Sequence, residues 1–176
     1  MYKCYQDNIV EGNESFPLSL IIRENLLYLT IWVLAGYLLW PVWTHSGLPL
    51  LTIVWVIMIV IIQILLKKHL CSGCYYYGKL CHLGWGKISS ALFKQDSGNL
   101  KTGMNLSFFY IIPPPVILLT SLVFAIINNS SWTYWFVLVL YVIFNAVSFP
   151  ARKKSCSLCV MREVCSGSAA RSKQIT

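Results

Sequence analysis

Two short segments concentrate the side chains able to do chemistry. Residues 71–81 read CSGCYYYGKLC and residues 156–165 read CSLCVMREVC, and together they hold six of the seven cysteines. In each, a Cys-x2-Cys pair is followed by a third cysteine after six or five residues. Cys-x2-Cys lets two thiolates grip one ion from a tight turn, and a third ligand a few residues on closes the site. Cys71, Cys74, Cys81, Cys156, Cys159 and Cys165 are therefore the candidate metal ligands, with Cys4 and His82 as supplementary donors. His69 adds a second imidazole nearby. Cys81 and His82 are adjacent and would crowd one ion, so His82 is the weakest of the set. Gly84, Gly86 and Gly167 follow the third cysteines and allow backbone to approach the site closely. Lys67, Lys68, Lys79, Lys153 and Lys154 flank the thiols, where cations favour thiolate and offset its charge.

Two metals fit this inventory. A [4Fe–4S] cluster takes four thiolates, which six cysteines supply with two to spare, or three with one iron left for Cys4 or a substrate. Zinc forms tetrahedral thiolate sites as readily, and six cysteines can share two zinc ions through bridging sulfur. The spacings Cys-x2-Cys-x6-Cys and Cys-x2-Cys-x5-Cys are similar to those of the fungal binuclear zinc-cluster transcription factors. The likeness covers cysteine spacing alone and implies a zinc option, with no DNA-binding role attached. Iron–sulfur is favoured over zinc because Tyr75, Tyr76, Tyr77 and Trp85 border the first motif, where a quinone or redox protein could approach. An inner aromatic belt accounts for the same rings. Serine at Cys71 or Cys156 is expected to cost the metal.

The elements that must position these cysteines are membrane helices. The chain of 176 residues is 57% hydrophobic and 11% charged, with a net charge of +8, and its mean hydropathy is +0.64. Soluble domains carry about 25% charged residues. A bilayer core about 30 Å thick takes roughly 20 apolar residues of helix, and four runs qualify: 25–44, 48–66, 106–128 and 132–150. Residues 16–24 (FPLSLIIRE) are too short and charged to span and are expected along the interface. Asp7, Glu11 and Glu14 precede the first run, unlike the cationic start of a signal peptide, so that run is expected to remain.

The expected fold is an all-α integral membrane protein of four transmembrane helices arranged as two repeated hairpins. Its segments are an N-terminal stretch (1–24), a first hairpin (25–66), a Cys-rich loop (67–105), a second hairpin (106–150) and a Cys-rich tail (151–176). The short turns around 45–47 and 128–131 hold none of the 14 Lys and Arg residues. Positive-inside counting then puts both termini and the 67–105 loop in the cytoplasm of a cell inner membrane. Pro113-Pro114-Pro115 is expected to start the third helix, although a kink lining a cavity is the alternative. Basic flank, cysteine triplet and glycine recur in both hairpins, which suggests repeats about an axis along the membrane normal.

The functions expected are three. The first is a membrane metal-cluster protein exchanging electrons with a quinone or a redox protein. A scaffold or assembly subunit stapled by zinc is the second, and a membrane thiol–disulfide oxidoreductase is the third. The basic charge lies beside apolar runs, which points to lipid and not to nucleic acid. Only six carboxylates occur and none falls well inside an expected span, which argues against an ion pump. Gln63 and Asn145, the notable polar residues within spans, are expected to bond between helices. No Gly-x-Ser-x-Gly, His-Glu-x-x-His or phosphate-cradling glycine loop is present.

Overall fold

Helices dominate the structure, a computed structural model that describes residues 9–165 and 168–171, apart from the His45 side chain. In chain order they are α1 (Leu18–Leu39), α2 (Leu50–Leu66), α3 (Trp85–Leu92), α4 (Leu100–Leu106), α5 (Pro113–Ile127) and α6 (Trp132–Ser157). Four helical segments are long and apolar enough to cross a membrane: Leu18–Leu39, Leu50–Cys71, Leu100–Ile127 and Trp132–Ser157. Their outer faces carry exposed Leu29, Val33, Ile57, Ile61, Leu119 and Val139. Such a continuous apolar exterior suits hydrocarbon and not water.

The chain divides into two compact units. One comprises Leu26–Ile62 and Phe109–Ser148. Its core is built from Ile31, Ala35 and Leu38 of α1, Trp55 of α2, Ile117 and Ala125 of α5, and Tyr134, Leu138 and Tyr141 of α6. Small residues let the helices approach, and polar side chains then tie backbone to backbone. Thr52 donates to the Gly36 carbonyl (3.0 Å), Trp55 Nε1 to Trp32 (3.4 Å), and Tyr134 to Leu38 (2.9 Å). The α1–α2 connection is a two-residue hairpin, Thr44–His45 against Leu48–Pro49. Ser46 and Gly47 both take positive φ there, as a type I′ turn requires.

Several expectations about this framework are refined. The interfacial segment is not a separate element, because α1 runs unbroken from Leu18. Phe16 and Ile21, expected at the lipid interface, are buried in protein instead. α5 begins at Pro113, with its prolines in the first turn where their missing N–H groups cost nothing. A 3₁₀ turn, Ser107–Tyr110, precedes it. Asn145, expected to bond between helices, donates to the Tyr141 carbonyl of its own helix (2.8 Å), and Gln63 Oε1 accepts from Lys67 Nζ in the following turn (3.1 Å).

The second unit gathers the described residues of 1–25, 63–108 and 149–176. The segment 67–105 is more than a loop. α2 widens into a π turn, Lys67–Cys71, whose last residue is the first cysteine of the motif. Hydroxyls satisfy its loosened carbonyls, Ser89 bonding to Lys67 (2.8 Å) and Ser72 to Lys68 (2.5 Å). α4 is capped by Asn99, whose side chain accepts from the N–H groups of Lys101 and Thr102. Its backbone N–H in turn donates to His69 Nδ1 (3.1 Å).

Candidate functional site

The two cysteine motifs fold alike, bond for bond. Cys74 N–H closes a turn on the Cys71 carbonyl (3.2 Å), as Cys159 N–H does on Cys156 (3.0 Å). The next bond runs from Tyr77 to Cys74 (2.9 Å) in one motif and from Arg162 to Cys159 (3.2 Å) in the other. A third pair follows, Lys79 to Tyr76 (2.8 Å) and Val164 to Met161 (3.1 Å). In both turns an N–H two residues on points at the second sulfur. Met161 N–H lies 3.4 Å from Cys159 Sγ, and Tyr76 N–H bonds to Cys74. Overlapping turns with N–H groups aimed at sulfur stabilise negative charge there.

The motifs diverge at their third cysteine. In the tail, Cys165 N–H bonds to the Met161 carbonyl (2.8 Å), a helical step that curls the chain back. In the loop, Gly78 takes φ 76° and its N–H bonds to the Gly86 carbonyl (3.1 Å). That left-handed turn accommodates the one additional residue before Cys81. Gly86 sits hard against the same turn: a Cβ there would fall 1.9 Å from the Tyr76 carbonyl oxygen.

A third strand of chain holds the motifs together. Residues 10–16 cross both: Val10 N–H bonds to Val160 O (3.2 Å), Asn13 N–H to Leu158 O (2.8 Å), and Phe16 N–H to Leu80 O (2.9 Å). Gly12 lies under the tail turn, where a Cβ would meet Leu158 O at 2.8 Å. Phe16, Ile21, Tyr76, Cys159, Val160 and Met161 form the core, and Cys74, Cys81 and Cys165 pack against it. Arg162 donates to the Glu11 carbonyl (2.6 Å), anchoring the strap from its outer side.

Tyr76 is the keystone, at 1% exposure. Its hydroxyl donates to the Asn13 carbonyl (2.5 Å) and accepts from Val160 N–H (3.2 Å), joining loop, strap and tail. Tyr76→Phe leaves both buried backbone groups without a partner, which costs about 1–3 kcal/mol. Its chemical-denaturation midpoint should fall accordingly, whereas Tyr77→Phe removes one bond, to the Phe93 carbonyl (2.7 Å), and should cost less. The rings expected to greet a quinone are thus engaged within the protein. Lys79 Nζ lies 4.3 Å from the Tyr75 ring centre, and Lys67 Nζ lies 4.7 Å from that of Trp85.

All six described cysteines are free thiols. Burial pushes Cys74 well above its ordinary pKa, the charge of Cys71 adds to this, Tyr76 N–H opposes it, and Cys165 and Cys81 add further. Cys159 is pushed up to about 11, first by burial, with Met161 N–H and Tyr76 opposing and Cys165 and Cys156 adding. Buried thiols of this kind stay neutral unless a cation compensates them. Lys67 is close enough to Cys71 and Cys81 to feel their charge. Among the described residues, no three His, Cys, Asp or Glu side chains stand in position to hold an ion. Cysteine side chains turn about one bond between three staggered wells, so the backbone sets which sulfurs can converge.

The remaining expected donors separate from this group. His82 faces the Phe16 ring edge-on at 6.0 Å between centres. Burial, helped by the charge of Arg152, lowers its pKa to about 4, which keeps it neutral at physiological pH. His69 is occupied at Nδ1 by Asn99. Cys4 and Gly167 lie outside the described residues.

Sequence reasoning missed one group altogether. Glu24, expected at the membrane surface, lies within α1 at 2% exposure, and Ser155, immediately before Cys156, donates a hydrogen bond to its carboxylate. Arg23 and Arg152 act on the same charge. A buried acid needs such partners to remain in place. The chain matches no protein-family model, and no curated protein or solved structure shows significant similarity to it.

Proposed function

We propose that this protein is a polytopic membrane protein that binds a metal centre through its two Cys-x2-Cys-x5/6-Cys motifs. The centre is iron–sulfur in preference to zinc, and it serves electron transfer with a quinone or a redox protein. The observation that carries this reading is the pair of matched cysteine turns, each aiming an N–H at its second sulfur. Two segments far apart in the chain keep one thiolate-stabilising turn and pack on one core, an expensive arrangement for cysteines with no ligand. Buried thiols beside Lys67 also suit a cationic occupant, which would ionise them on binding.

The four apolar helices form two hairpins that repeat in sequence, and the cysteine unit faces the cytoplasm. The distribution of Lys and Arg supports that orientation. A periplasmic-active reporter fused after residue 171 should be silent, and a cytoplasmic one active.

A zinc-stapled scaffold is the second reading. It is favoured by the way three distant chain segments close on one small core, a task for which structural zinc is suited. Elemental analysis of protein purified without oxygen separates the readings. Iron with acid-labile sulfide and broad visible absorption supports the cluster, and stoichiometric zinc in colourless protein supports the scaffold. Metal-free protein with a reducible Cys-x2-Cys bond would overturn both and leave the thiol–disulfide oxidoreductase.

A further inference from the structure

We propose that α3 is a membrane-surface anchor for anionic lipid. Ile88, Ala91 and Leu92 enter the headgroup layer, and Lys87 and Lys94 meet lipid phosphates. The anchor is independent of any metal, since the segment 85–94 (WGKISSALFK) contains no cysteine.

α3 is packed inside out. Its inner face is made of small residues, the buried Gly86 and Ser89. Ser89 donates to the Lys67 carbonyl (2.8 Å), and Gly86 lies so close to the Tyr76 carbonyl that a Cβ has no room. The large apolar side chains point the other way: Ile88 is 45% exposed and Leu92 61%. Lys87 and Ala91 are exposed with them. Helical periodicity puts 87, 88, 91 and 92 on one face, opposite 86 and 89. A helix that turned this face to water would carry polar side chains there. An apolar strip edged by lysine is instead the pattern of a helix lying in the plane of a membrane interface.

Depth and charge select the occupant. The Ser89 bond ties α3 to the π turn Lys67–Cys71, where the apolar run of α2 gives way to Lys67 and Lys68. The first lysines after a spanning helix mark the level of the lipid headgroups. The chain beyond α3 keeps to the same turn. A Cβ at Gly98 would fall 2.1 Å from the Lys68 carbonyl oxygen, and one at Gly103 would fall 2.9 Å from the backbone nitrogen of Leu70. Residues 67–105 hold six lysines and a single carboxylate, Asp96. Lys68, Lys87, Lys94 and Lys101 are all exposed. A face so basic repels a second copy of itself and is drawn to an anionic bilayer surface.

The full chain is placed in nanodiscs of phosphatidylcholine alone or mixed with phosphatidylglycerol. Phosphatidylglycerol should slow amide exchange over 85–94 about twentyfold, at roughly fivefold for each of the two lysines. Lys87→Gln combined with Lys94→Gln should return exchange in the mixed discs to the rate in phosphatidylcholine. Ile88→Ser combined with Leu92→Ser should speed exchange over 85–94 in both discs. All four side chains are exposed, so each variant should keep the wild-type exchange of α2 over 50–66. Equal exchange of the wild type in both discs, or a lysine variant that still responds to phosphatidylglycerol as the wild type does, overturns the proposal. A second measurement replaces Leu92 with photoreactive benzoylphenylalanine. Irradiation should give lipid adducts by mass spectrometry, in higher yield in the mixed discs. A cross-link to a second copy of the chain, or no lipid adduct in either disc, overturns the proposal as well.

Discussion

Gly86→Ala should unfold the cysteine unit, at a cost of about 3 kcal/mol or more. The new methyl group would lie 1.9 Å from the Tyr76 carbonyl oxygen and 2.8 Å from that of Lys79. Both obstacles are backbone, so no side chain can swing aside. The turn carrying Cys74 would have to leave the α3 N-terminus, taking with it the bond from Gly78 N–H to the Gly86 carbonyl. Gly36→Ala is the control. Its Cβ would meet only Thr52 Cγ2, at 3.8 Å, an ordinary contact inside a helix. Alanine is favoured over glycine there by about 0.5–1 kcal/mol, so thermal unfolding should be unchanged or slightly raised. A Gly86→Ala protein as stable as Gly36→Ala would show that the unit tolerates displacement of its turn.

Removing the metal from loaded protein should have the other large effect. Structural zinc contributes about 10–16 kcal/mol of apparent binding energy in small peptide sites, and here it would join loop to tail. Stripping it should destabilise the cysteine unit by several kcal/mol and open the tail to trypsin at Arg162, whose side chain otherwise anchors on Glu11. The core of Ile31, Leu38, Trp55 and Tyr141 involves no cysteine and should stay helical. Hydrogen exchange resolved by segment measures both parts in one experiment. Unchanged protection over 156–165 after stripping would mean that the turns hold without an ion.

The membrane character was legible because apolar length is a direct reading of bilayer thickness, and each of the four segments carries it. The helix start at Pro113 was legible for a similar reason, since proline removes a donor that only a first turn can spare. The cysteine turns were legible as motifs. The limit was reached wherever a residue's role depends on a distant partner. Tyr76 looks like its neighbours Tyr75 and Tyr77 in a string of letters. Only its pairing with Asn13 and Val160 makes it the buried one. Glu24 was placed at the surface because Arg23 and Glu24 interrupt an apolar stretch. Its shelter comes from Ser155, which no local pattern could announce. Even the glycines divide this way: Gly86 adjoins the motif it serves, whereas Gly12 serves a turn at the far end of the chain.

The pairing of Asn13 with Cys159 has a bearing on how the molecule is made. Ribosomal synthesis yields the strap first, the CSGC turn next and the CSLC turn last, so the strap lacks its tail partner until nearly the whole chain has been made. Contacts of such long sequence separation form late and slowly. The cysteine unit is therefore completed only when the CSLC turn arrives, with Tyr76 and Leu80 of the loop holding the strap until then.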